Sequence, residues 1–239
     1  MYIKSIWREL WLLIVFYIFW YSCFLFLVTP VILQRGVSCV ADVLLIGTYI
    51  NERLLFMTPV ILLFNYRVYN RRQGINWRLR YKSDLDMLHR CLAMAGPGII
   101  SILLIQLGLL GFWGKVQGKE ICNWDSTTSW FCSSYGGTLH IPWPRVIMML
   151  LVLHIIFLFT ISLVEYVWLI KGGALWSLAL ILYVGGEIEY RCRPIHLLYR
   201  SSGFLISMGS KLSAWIIPVV SVLLIGGVSV ICTKIIKRK

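Results

Sequence analysis

Apolar and polar positions in this chain separate into long blocks instead of alternating residue by residue. The first apolar run covers 10–33, is rich in Phe, Trp and Tyr, and holds Pro30 near its end. Runs at 92–113 and 146–170 are of similar length, within the roughly 17–25 residues that carry a helix across a bilayer. Shorter runs at 54–68 and 172–186 and a last one at 212–231 complete the set. Long unbroken runs predict helices that are apolar all round, which belong in lipid or in a large core. The expected fold is all-α: one transmembrane domain over 1–239, a polytopic helical bundle with six crossings.

The segments between the runs set the topology. Segment 37–50 is fairly apolar but holds Asp42, and Asn51-Glu52-Arg53 closes it, which reads as an outward-facing connector. Loop 69–91 is the most polar stretch, and Arg67, Arg71, Arg72, Arg78, Arg80, Lys82 and Arg90 lie in or beside it. Loop 114–145 carries Gly136-Gly137 and Pro142-Trp143-Pro144, and 185–211 is polar and aromatic, a candidate re-entrant segment. Lysine and arginine in short loops mark the cytoplasmic side. Six crossings put Lys4 and Arg8, the basic loop, and the tail from Lys234 to Lys239 on that side, with both termini cytoplasmic. Five crossings would carry the basic tail outside, a worse violation. The N-terminus resembles a signal peptide, but its apolar run is too long and lacks a small-x-small cleavage site. It is expected to remain as the first crossing.

Composition sharpens this picture. Only 14% of the 239 residues are charged, against about 25% in soluble domains, so the chain could not cover a water-facing surface. The net charge of +13 would suggest nucleic acid in a soluble protein. Here the basic residues flank apolar runs, which suits topology and contact with anionic membrane lipids, and no nucleic-acid partner is expected.

Of seven cysteines, Cys122 and Cys132 share the loop placed outside, where oxidation is permitted. A local disulfide between them is expected, with Cys39 and Cys192 as a weaker second pair. Zinc is not expected, because there is no C-x-x-C and His140 is the only nearby histidine. The chain also lacks a P-loop, H-E-x-x-H, G-x-S-x-G and paired-aspartate motifs, so no catalytic residue and no cofactor of its own are expected. His154 and Glu165 are the intramembrane polar candidates. Eleven residues apart, they share a helix face but lie roughly 16 Å apart along the axis, too far to act on one bond. An ionisable group at membrane depth is a functional candidate by default. The plainer reading puts Glu165 near its helix end, within reach of water or Lys171, and makes His154 a packing residue.

Within the basic loop, Ser83 or Asp84 can cap a helix whose first turn, through Leu85 and Asp86, is acidic. That predicts a short amphipathic helix over 84–90 beneath the membrane. It serves either as an orienting loop or as a docking element for a cytoplasmic partner.

The layout as a whole resembles the small permease subunits of bacterial ABC-2-type ABC transporters. It shares their six spans, both ends inside, a coupling region at Arg71–Arg90 and a re-entrant region at 185–211. The resemblance implies a second copy of the chain and a separate cytoplasmic P-loop ATPase that carries ATP and magnesium. The ATPase would dock on Arg71, Arg72, Arg78, Arg80, Lys82, Ser83, Asp84, Leu85 and Asp86. It further implies export of an amphipathic cargo such as a peptide, lipid or antibiotic, or bacteriocin immunity. A non-transporting accessory or assembly subunit and an intramembrane enzyme stand as alternatives.

Overall fold

The computed structural model describes residues 2–33, 39–46, 53–70, 83–135, 138, 140 and 142–191, with 227 and 231 as isolated positions. Helix α1 spans Tyr2–Leu33 and the short α2 spans Val40–Ile46. A π-helical turn, Arg53–Met57, runs directly into α3, Thr58–Asn70. Then come α4 (Asp84–Val116), the short α5 (Trp130–Tyr135), α6 (Trp143–Ile170) and α7 (Leu175–Arg191). There is no strand among the described residues.

Among the described residues three helices, α1, α4 and α6, are long and apolar enough to cross a membrane. At about 1.5 Å per residue, the 33 residues of α4 reach roughly 50 Å, well beyond the ~30 Å hydrocarbon core. The exposed side chains of α1 and α4 include Trp11, Phe19, Phe26, Leu104 and Phe112. A surface of this kind suits lipid and would be a liability in water. Helix α7, with 17 residues, covers only about 25 Å.

Side-chain pairings give the helix directions. Trp20 Nε1 donates to the Leu55 carbonyl, while Leu12 and Phe16 share a crevice with Leu63 and Arg67, so α1 and α3 are antiparallel. Asn65 meets Ser162 and Tyr69 meets Leu169, so α3 and α6 are parallel. Gly98 packs on Phe64 and Gln106 meets His154, so α4 runs against both. Alternation of this sense is what successive crossings of one bilayer require. Helix α4 packs on α1, α2, α3 and α6.

The short helix expected over 84–90 is not separate. Ser83 is the N-cap of α4, its Oγ accepting from the Asp86 amide at 3.2 Å. Asp86 pairs with Arg90 one turn on. From Arg90 the helix continues without a break, because Cys91-Leu92-Ala93-Met94-Ala95 are residues that tolerate or favour helix. Pro97 lies inside α4, where it removes one backbone hydrogen bond. Residues Arg71, Arg72, Arg78, Arg80, Lys82 and Cys192, most of the re-entrant segment and nearly all of the 212–231 run lie outside the described residues.

Close approach of α3 and α4 depends on Gly98: a Cβ there would sit 2.5 Å from the Phe64 ring, whereas one at Gly108 would meet nothing within 4 Å. Gly98→Val is therefore expected to cost about 1–3 kcal/mol by overpacking, and Gly108→Val much less. Thermal unfolding of the two variants in mild detergent checks this, and equal losses would contradict the packing described.

Candidate functional site: a buried polar centre between two helices

Helix α6 has no polar face, yet Ser162, Glu165 and Tyr166 are all buried on it. With Leu169 they fall at i, i+3, i+4 and i+7, one stripe of a helix. Asn65 of α3 faces that stripe. Its Nδ2 donates to Ser162 Oγ and to Glu165 Oε2, both at 2.9 Å, and its Oδ1 accepts from the Tyr166 hydroxyl at 3.0 Å. Ser162 in turn donates to the Leu158 carbonyl at 2.8 Å. One turn along, Tyr69 donates to the Leu169 carbonyl at 2.7 Å. In an apolar surround no water competes for these groups, so each bond fixes the helices relative to one another.

Glu165 is not reaching for water: it is fully buried, and its Oε1 has no hydrogen-bond partner. Lys171, the cation expected near it, is exposed. A buried carboxyl oxygen with a free valence is the feature of this centre that could take a ligand or a proton.

His154 does not join this centre. It is buried two turns from Ser162 and faces α4, with Gln106 Nε2 3.3 Å from its Nε2 and the Leu150 carbonyl 2.7 Å from its Nδ1. A carbonyl only accepts, so Nδ1 carries the proton and Nε2 accepts from Gln106. His154 and Glu165 thus bind different helices, and the structure brings them to no common point.

At the far end of the bundle, near the Gln117 terminus of α4, a second buried group was not expected. Asp42 is fully buried; its Oδ2 accepts from the Cys39 amide at 2.8 Å and its Oδ1 from Trp124 Nε1 at 2.7 Å. The first bond is half of a capping box on α2, an acidic side chain three residues into the helix reaching back to the cap amide. Trp124 stacks on Phe131 at 4.1 Å between centroids, and Ser129 Oγ receives the Cys132 amide. Burial lifts the Asp42 carboxyl above the usual aspartate range, although its two donors pull it back.

Cys122 and Cys132 carry free thiols. Phe131 faces Trp124, which turns Cys132 about 100° away around its helix. The thiol that meets Cys122 is that of Cys39, the two sharing a hydrogen bond. No group of three or more His, Cys, Asp or Glu is placed to hold a metal among the described residues.

An open groove of about 750 Å³ lies between α3, the end of α6 and α7, lined by Leu62, Tyr66, Tyr69, Leu169 and Trp176 among others and, among the described residues, by no charged side chain. Tyr69 forms part of its wall and lies one turn from Asn65.

Asn65→Leu removes the donor shared by Ser162 and Glu165 and is expected to cost about 1–3 kcal/mol. Glu165→Gln keeps an acceptor for Asn65 and is expected to cost under about 1 kcal/mol. Unfolding in detergent compares them, and a larger loss for Glu165→Gln would contradict this geometry. Asp42 is expected to show the opposite pH behaviour to a salt-bridged carboxylate. Its raised folded-state pKa adds stability below the ordinary aspartate range, and that stability is lost as pH rises through the raised value. The stability of wild type relative to Asp42→Asn should therefore fall as pH rises; a difference that grows with pH would contradict the burial of a charge there. Comparison with protein-family models, curated proteins and solved structures finds no match to this chain, so its own residues must carry the functional reading.

Proposed function

We propose that this chain is the membrane-spanning permease subunit of a transporter, driven by a separate cytoplasmic P-loop ATPase. The observation that carries this reading is α4. It is one continuous helix from the Ser83 cap to Gln117, longer than a bilayer is thick, and it packs on four other helices. From Ser83 to Ala95 the helix holds no glycine or proline, so displacement at its Ser83 end is carried along the helix as far as Gly96-Pro97-Gly98, and this arm suits a lever worked by a partner. Asp84, Asp86 and His89 lie on the first two turns of α4, half-buried or exposed, and the basic residues Arg71, Arg72, Arg78, Arg80 and Lys82 precede them in sequence.

In this reading the basic loop and both termini are cytoplasmic, the crossings number six, and the loop after α4 faces outward. The uncharged, aromatic groove beside α7 fits an amphipathic cargo, such as a peptide, lipid or antibiotic, better than an ion. Export is the direction the resemblance supports, bacteriocin immunity being one role of that kind, and a second copy would complete the pathway. The reading gives the chain no catalysis of its own; that Glu165 and His154 face different helices disfavours their acting together in an intramembrane enzyme. One observation favours a second reading, a non-transporting accessory subunit. The groove's lining includes none of Asn65, Ser162, Glu165 and Tyr166, so the polar centre is not on a visible path.

The test is affinity capture from native membranes in mild detergent, comparing wild type with Asp84→Arg/Asp86→Arg and with Ser83→Ala. The single variant loses about 1 kcal/mol of capping without reversing charge, and controls for helix fraying. Recovery of a P-loop ATPase with wild type and Ser83→Ala, and at least tenfold less with the double variant, is expected. If wild type recovers no ATPase even after cross-linking in intact membranes, the accessory reading replaces this one.

A further inference from the structure

The geometry points to a disulfide between Cys39 and Cys122 that clamps the start of α2 to the loop following α4. Three independent contacts already hold these segments together. The amides of Val40 and Ala41 donate to the carbonyls of Glu120 and Ile121, each at 2.9 Å. Val40 seats against Gly114, at the end of α4, where no Cβ would fit. Trp124 Nε1 donates to Asp42 across the same junction. Between these contacts the two thiols meet, far apart in sequence but adjacent in space.

Their environments differ in a way that suits stepwise oxidation. Cys39 is fully buried, whereas Cys122 is partly exposed. The hydrogen bond between them, and then burial, push the Cys39 thiol up. The same bond draws the Cys122 thiol down, so Cys39 holds the proton and Cys122 has the thiolate character. Only Cys122 is both reachable and nucleophilic.

With a protein disulfide as oxidant, the Cys122 thiolate attacks one sulfur of that disulfide and expels the other as a thiolate. Cys39 then gives up its proton, attacks Cys122 Sγ and expels the second thiolate. Two protein thiols lose two electrons and two protons, and the oxidant's disulfide becomes two thiols. Cys132 takes no part.

The inference rests on the outward placement of this loop proposed above, because a reducing compartment would keep both thiols free. The test uses the full chain in its native membranes. Thiols are blocked with N-ethylmaleimide at lysis, and the protein is digested with chymotrypsin without reductant. Cleavage at Trp124 and Trp130 separates Cys122 from Cys132. A linked pair of peptides containing Cys39 and Cys122 is expected in wild type and in Cys132→Ser, with alkylated Cys122 in Cys39→Ser. Cys122 joined to Cys132 or Cys192, or Cys39 and Cys122 both alkylated, overturns the bridge. A membrane-impermeant maleimide on intact cells carrying Cys39→Ser then separates the two premises. Labelling of Cys122 upholds the orientation and makes the failure that of the bridge alone. Labelling only after lysis overturns the orientation and the bridge with it.

Discussion

The amide of Asn65 is the interaction on which the arrangement of the helices depends. Apolar side chains pack against one another in many registers when lipid is as apolar as they are, so packing alone selects weakly among rotations of α3 on α6. An amide in that setting must find partners, and Asn65 finds three on one stripe of α6. Rotating either helix by one residue would leave several polar atoms unbonded in a dry interior, at a cost of order 1–3 kcal/mol each. The centre therefore fixes rotation, and Tyr69 on Leu169 fixes height. Helix α4 then fits against this pair through two matched devices, Gly98 under the Phe64 ring and Gln106 on His154.

The two ends of α4 are built differently. At the Ser83 end the helix carries a cap and a solvent-exposed Asp86–Arg90 pair, while Met87, Leu88 and Cys91 are buried against the bundle. At the Gln117 end it is tied to α2 through Gly114 and the adjoining Glu120 and Ile121 carbonyls, with Asp42 and Trp124 buried beside them. The buried polar centre lies between, with one oxygen of Glu165 unbonded.

Much of the helical layout was legible in the chain. Apolar runs of bilayer length become α1, α4 and α6, and Ser83 followed by acids becomes an N-cap because the physics of a helix start is local. The error at 84–90 has the same local origin: a change from polar to apolar residues marks the edge of a membrane, but nothing in Cys91–Ala95 interrupts the hydrogen-bond ladder. What was not legible is partnership. Periodicity shows that Ser162, Glu165 and Tyr166 share a stripe, but not that Asn65, about a hundred residues earlier, faces it. Cysteine spacing favoured Cys122 with Cys132, whereas the neighbour in space is Cys39, because connectivity is a tertiary property. Asp42 was visible as a lone acid in an apolar stretch, and a capping role three residues into α2 was the signal that could have found it.

The most direct test of α4 as a lever is photo-cross-linking in living cells, with a photoreactive residue placed at the exposed His89 position. The account predicts a specific adduct with a P-loop ATPase, identified by mass spectrometry and abolished by Asp84→Arg/Asp86→Arg. Adducts confined to lipid, or to a protein without nucleotide-binding motifs, would contradict it.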